Sequence, residues 1–223
     1  MHNTASDLPQ APAATPTTQV ALRYLNELKE QAELADPLKI AAFADAVVET
    51  LVTGGRIHLA GNGGSASTAA HMACDWQAAC ARAGLTGTGV VNLADGPATL
   101  TALANDIAYE EVFARQLELA ARPGDLLVLL SVGGNSPNLV RAAETARGIG
   151  VPVAALLSGH GVLGHLCDLR VDLGNGDYGL AEDLHLAVNH VVVRALCGGL
   201  PRRVTSNRSM HGDGSVLQAV GHG

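Results

Sequence analysis

The chain has 223 residues and a mass of 22.7 kDa, which suits one domain of the larger α/β kind with enough sequence to bury a core. Hydrophobic residues make up 48% and charged residues only 16%, which excludes a disordered or solvating protein. Aromatics at 3% leave the core to Ala, Val and Leu, and the net charge of −7 argues against a partner held through its phosphate backbone, so no nucleic acid is expected.

In chain order, residues 1–17, with Pro9, Pro12 and Pro16 among small polar residues, read as a flexible arm. Helical spacing then runs from Val20 to Ala35 and from Leu38 to Val52, broken at Asp36-Pro37. Five strand-length apolar runs follow, at Arg56–Ala60, Thr88–Leu93, Asp125–Leu130, Pro152–Leu157 and Leu169–Leu173, with helical stretches between them. Strands joined in this way predict a parallel sheet covered on both faces, a doubly wound α/β domain with a helical N-terminal extension. The two extra helices are expected to cover the sheet or an apolar patch on a neighbouring subunit. The stretch from Leu200 onward reads as a loose tail (residues 200–223), leaving 18–199 as one domain, and places Arg202, Arg203, His211 and His222 in solvent. No apolar run approaches the ~20 residues a membrane span needs, and the N-terminus lacks the pattern of a secretory signal. No membrane partner and a cytoplasmic location are therefore the expectation. Cys74, Cys80, Cys167 and Cys197 form no C-x-x-C pair and read as small buried thiols in a reducing compartment.

In doubly wound sheets ligands bind beyond the carboxyl ends of the strands. Two Gly/Ser-rich loops are expected there: Gly61-Asn62-Gly63-Gly64-Ser65 after the first strand, and Ser131-Val132-Gly133-Gly134-Asn135-Ser136 after the third. Glycines admit close backbone approach, and hydroxyls with helix N-terminal N–H groups offer donors to an anion. Such a pair suits a small phosphorylated ligand, although each loop alone is also what a tight βα turn looks like. Gly61, Gly63 and Ala66 fit the dinucleotide fingerprint, but Asn92 stands where its acidic partner belongs, so a phosphate site is preferred to a nucleotide site.

His71 and Asp75 are four apart on the helix opening from the first loop and share one face. Asn105-Asp106 follows the second strand, where a neutral and an acidic group can hold sugar hydroxyls or simply cap a turn. Glu182, His185 and His190 lie on the last helix. Glu182 and His190 are about 12 Å apart along an ideal helix, a separation two long side chains barely bridge around a metal.

These motifs, in this order, resemble the sugar isomerase (SIS) domain family from about Val20 to Cys197, and within it the phosphoheptose isomerases, which act on sedoheptulose 7-phosphate. The resemblance rests on GNGGS at Gly61–Ser65, His71 with Asp75, Asn105-Asp106, S-x-G-G-N-S at Ser131–Ser136 and E-D-L-H…H from Glu182 to His190. It implies a three-layer αβα sandwich with a five-stranded parallel sheet, the flavodoxin-like SIS fold, and a homotetramer with sites at subunit contacts. The resemblance also implies substrate contacts at Asn62, Gly63, Gly64, Ser65, Asn105, Asp106, Ser131, Val132, Gly133 and Ser136, and also at Asp75 and Glu182. One zinc per subunit is implied at His71, Asp75, Glu182 and His190, with Asp75 and His190 in the acid–base positions.

Three departures stand out. The family has glutamate at Asp75, glutamine at Glu182, and hydroxyl residues at Val132 and Gly133. The expected activity is isomerisation of sedoheptulose 7-phosphate to D-glycero-D-manno-heptose 7-phosphate through an enediol. The alternative is a non-catalytic SIS protein that binds phosphosugars as a regulator or binds a replication initiator as a scaffold. The presence of both Asp75 and His190 favours the enzyme.

Overall fold

In the computed structural model, which describes residues 15–198, two helices precede a regular alternation of strand and helix. Helix α1 (Pro16–Leu34) is capped by Thr15, whose side chain accepts the Thr18 N–H. Pro16 takes a position where its missing N–H costs nothing, so residues 16 and 17 belong to this helix rather than to the expected arm. Helix α2 (Pro37–Val52) starts at the Asp36-Pro37 break for the same reason, with Asp36 accepting from Leu38 and Lys39.

The βα units then run β1 (Arg56–Gly61), α3 (Gly64–Ala83), β2 (Gly89–Asn92), α4 (Pro97–Asp106), a 3-10 turn (Tyr109–Glu111), α5 (Ala114–Ala120), β3 (Leu126–Ser131), α6 (Pro137–Gly148), β4 (Val153–Leu157), α7 (Leu163–Leu166), β5 (Leu169–Asp172) and α8 (Tyr178–Gly198). No strand end differs from its expected run by more than one residue. All pairings are parallel, in the order β2-β1-β3-β4-β5, with Gly61 opposite Leu130 and Ser131 opposite Leu157. The order reverses between β1 and β3, so the loops after these two strands border the crevice where such sheets bind ligands.

The sheet is buried on both faces, giving the three-layer sandwich. Along β3, Leu126, Val128 and Leu130 join the core that includes Trp76, Met72, Phe43 and Leu184. Leu127 and Leu129 point the other way, into the core with Phe113, Leu117 and Leu139. At the amino end of the sheet Asp125 is buried and accepts from the N–H groups of Arg56 (2.9 Å) and Arg122 (3.0 Å), with His58 Nε2 at 3.0 Å. Burial alone would raise this carboxyl; the His58 bond and the two N–H donors outweigh it and hold Asp125 below the usual carboxylate range.

The two N-terminal helices differ in how far they cover the sheet. Helix α2 buries Phe43, Ala44, Val47 and Leu51. Helix α1 has no buried residue and leaves Val20, Leu22, Leu25 and Leu34 exposed. Its Tyr24 hydroxyl donates to Asp183 on α8 at 2.7 Å, a bond that, ahead of burial, pushes the phenol up to about 12. The cysteines are not uniformly buried as expected: Cys80 is buried and Cys167 intermediate, but Cys74 and Cys197 are exposed on helices. The segments 1–14 and 199–223, including Arg202, Arg203, His211 and His222, lie outside the described residues. Within 15–198 no helix is long and apolar enough to cross a membrane.

Candidate active site

The two Gly/Ser loops meet at the switch point. The glycine loop Asn62–Ser65, the segment Ser131–Gly133 with Ser136, and Glu182 line one open cleft of about 610 Å³. A reciprocal amide pair joins its two sides: Asn62 Nδ2 donates to Asn138 Oδ1 and Asn138 Nδ2 to Asn62 Oδ1, each at 2.9 Å. Tyr109 adds a third bond, donating its hydroxyl to Asn62 Oδ1 at 2.9 Å. The Asn62 side chain thus belongs to the frame of the cleft, and the loop offers ligand its backbone.

The cleft's donors come from the main chain. Gly63, the cap residue of α3, has φ 56° and ψ −124°, a conformation open to glycine and strained for other residues. Neither Gly63 nor Ser136, the cap residue of α6, gives its helix a side-chain cap, unlike Thr15 and Asp36. The first N–H groups of α3, at Gly64 and Ser65, are therefore left to the cleft, as an anion requires, whereas α6 opens with Pro137, which has no N–H to offer. Ser131 Oγ is turned inward and accepts the Gly134 N–H at 3.0 Å, and Asn135 bonds Gly133 O and Val162 N. Of the second loop's hydroxyls, Ser136 is the one left for a ligand. Val132 is nearly buried and Gly133 has no side chain to give. Among the described residues no lysine or arginine lines the cleft, which leaves the α3 N-terminus and the serine hydroxyls as its donors for an anion.

A second group of side chains lies about 10 Å farther along α3 from Gly64. His71, Asp75 and His190 bring their ligating atoms within 4.8 Å of one another. Asp75 Oδ2 stands 3.2 Å from His71 Nε2 and 4.0 Å from His190 Nε2. The two imidazoles meet edge to face, with centroids 6.1 Å apart. Helix periodicity places His71 and Asp75 on one face, and the packing of α3 against α8 brings His190 to them. All three are partly exposed. Two imidazoles and a carboxylate are the donor set that zinc takes in open sites, so the residues present fit the implied metal, although not all four expected ligands gather.

Glu182 does not join the three. Its carboxylate packs against Gly64, where a Cβ would collide with it, and it lines the cleft instead. The eight-residue offset from His190 along α8 accounts for this. Asn105 and Asp106, at the end of α4, are exposed and bonded to each other at 2.8 Å, and neither lines the cleft. His185, three residues beyond Glu182, turns fully into the core, where burial pushes its imidazole down to about 4 against a weaker pull from the Leu157 backbone.

Several residues at the site carry no sequence signal. Asn138, Tyr109 and Tyr178 frame the cleft, and Asn189 Nδ2 donates to Asp75 Oδ2 at 2.7 Å. An isolated Asn or Tyr on a helix or turn has no diagnostic spacing, and their partners lie far away in the chain.

Comparison with known proteins agrees with this arrangement. The SIS domain family matches residues 22–158. The phosphoheptose isomerase of Chlorobaculum parvum is 39% identical over 176 residues, 76% of this chain and 83% of that protein. The phosphoheptose isomerase of Rhodospirillum rubrum is 38% identical over 162 residues, 71% and 82% of the two chains. Among solved structures, the phosphoheptose isomerase from Neisseria gonorrhoeae matches with a TM-score of 0.72 at 26% identity, over 82% of this chain and 98% of its own. By its fold, by the loops that meet at the switch point and by these relatives, the chain belongs to the SIS domain family and, within it, to the phosphoheptose isomerases.

Proposed function

We propose that the chain is a cytoplasmic aldose–ketose isomerase that converts sedoheptulose 7-phosphate to D-glycero-D-manno-heptose 7-phosphate. The observation that carries the reading is the pairing of a phosphate-suited cleft with a separate His71–Asp75–His190 cluster two to three turns along α3. A heptose 7-phosphate has its phosphate at one end of an extended chain and its carbonyl at the other, so a site for it needs these two centres apart.

In this reading the phosphate rests on the N–H groups at the start of α3 with the Ser65 and Ser136 hydroxyls. Glu182, beside Gly64, accepts hydrogen bonds from sugar hydroxyls between the two centres. Isomerisation moves one proton between neighbouring carbons and another between their oxygens, through an enediol. Asp75 and His190 are the acid–base pair. Asp75 has Oδ1 available for the carbon-bound proton, because Asn189 and His71 engage Oδ2, and His190 exchanges the proton on the oxygens. His71, Asp75 and His190 would hold zinc, one per subunit, which when bound polarises the substrate carbonyl. The reading includes assembly as a homotetramer, supported by the exposed apolar residues of α1.

The test is turnover of sedoheptulose 7-phosphate by the purified chain, with and without added zinc, with the product identified by NMR. A heptose 7-phosphate product, formed faster with zinc, is the expected result. Tight phosphosugar binding without turnover would overturn it in favour of a regulatory or scaffolding SIS protein.

A further inference from the structure

Helix α8 presents to the core the apolar side chains Ala181, Leu184, Val188, Val192 and Leu196, with two polar ones among them, His185 and Asn189. Both are fully buried, and Asn189 is the one of the two that bonds to Asp75. Its Nδ2 donates to Asp75 Oδ2 at 2.7 Å, while its Oδ1 is buried with no hydrogen-bond partner among the described residues. A buried amide with an orphaned carbonyl is a poor core residue, since the lost hydration of that oxygen is not replaced. An apolar side chain of similar size would pack there at lower cost. What the amide adds is one directed bond to Asp75.

We infer that Asn189 is a positioning residue for Asp75. This rests on the reading of Asp75 as the proton-transferring and metal-holding carboxylate. Among the described residues, the other groups within reach of the Asp75 carboxylate are His71 and His190, both about half exposed. Asn189 is the one partner with its own rotamer locked by packing. It grips Oδ2, the oxygen that faces both imidazoles, and so sets the plane of the carboxylate and leaves Oδ1 directed away from that contact. Hydrogen bonds of this kind behind a ligating carboxylate fix its orientation and commonly alter metal affinity or activity by about 10–100-fold.

The experiment is a double-mutant cycle on the full chain. Asn189→Leu, Asp75→Asn and the double variant are compared with wild type, with Asn189→Ala beside them as a second way to remove the donor. Two quantities are read: affinity for Zn²⁺ alone, by competition with a chromophoric chelator, and kcat and KM for sedoheptulose 7-phosphate. Asn189→Leu and Asn189→Ala are expected to lower kcat and Zn²⁺ affinity by about tenfold or more, with KM within about threefold. Asn189→Leu should then add no further loss once Asp75 is already Asn, because residues that act through one another are not additive. Wild-type kcat and affinity in both Asn189 variants would overturn the inference. So would an equal further loss in the Asp75→Asn background, which marks a role through the fold. A wild-type chain that binds Zn²⁺ but does not turn over the sugar phosphate would sink the isomerase instead, and the affinity cycle would still decide on Asn189.

Discussion

His190 reaches to 4.0 Å from Asp75 with about half of its side chain in solvent, so its removal opens no cavity in the core. His190→Ala should therefore cut kcat at least 100-fold, the scale of a lost general acid–base group, while shifting the thermal midpoint by no more than about 2 °C. A melting curve and steady-state kinetics on one preparation check both halves, and near-normal kcat would remove His190 from proton transfer. Gly64 poses the opposite question at the phosphate end. A methyl there meets the carboxylate of Glu182, which is the movable end of a side chain and can swing aside. Gly64→Ala is accordingly expected to cost less than about 1 kcal/mol of stability and to raise KM severalfold, since the displaced carboxylate then occupies the cleft. An unchanged KM would mean that the displaced Glu182 carboxylate does not meet the substrate.

Helix α1 is held to the rest of the chain mainly by Tyr24 on Asp183 and by the partly buried Leu28, and it leaves Val20, Leu22 and Leu25 uncovered. Large aliphatic side chains spaced along one exposed helix are stabilised by burial against a second surface. The double substitution Leu22→Asp with Leu25→Asp should therefore lower the oligomeric mass measured by light scattering while leaving far-UV circular dichroism unchanged. A variant of unaltered mass would take α1 out of the proposed subunit interface. At this scale most of the fold could be read from the chain, because its signals are local. The apolar runs of β1 and β3 end at Gly61 and Ser131, and Asp36-Pro37 writes the α1–α2 break by capping chemistry. The glycine loops were equally visible, since only particular residues allow such turns. Partnerships across elements were not. Asn62 and Asn138 are 76 positions apart and Asp75 and Asn189 are 114 apart, and no periodicity within one element encodes such a contact. The resemblance put Glu182 with His190 on one metal, a pairing that spacing along α8 barely allows, whereas the packing of α8 on α3 sends one to Gly64 and the other to Asp75. The Asn105-Asp106 motif was as visible as the loops, but its position at the end of α4 does not bring it to the cleft of its own chain.

Two buried ionisable groups at opposite ends of the sheet tie the stability of the whole molecule to pH. His185, beside Leu157 at the carboxyl end of β4, is fully buried with neither ring nitrogen fully hydrogen-bonded, and burial lowers it to about 4. The unfolded chain takes up that proton near pH 6.5. The stabilisation from keeping the imidazole neutral is thus complete above about pH 6.5 and is lost as pH falls toward 4, a change on the order of 3 kcal/mol. Asp125, at the amino end of β3, is also held down, by His58 and two backbone N–H groups acting against burial. As a carboxylate it stabilises the fold above its ordinary value of about 4 and loses that contribution only below it. The two losses therefore come in order, the histidine first and the carboxylate second. Thermal midpoints measured from pH 7.5 to 3.5 should fall between pH 6.5 and 4 in the wild type and stay flatter there in His185→Leu, which has no proton to bind. Asp125→Asn should retain the first fall and start from a lower midpoint at every pH above about 4, because Asn cannot serve all three donors. Parallel curves for wild type and His185→Leu would mean that the acid limit lies elsewhere in the molecule.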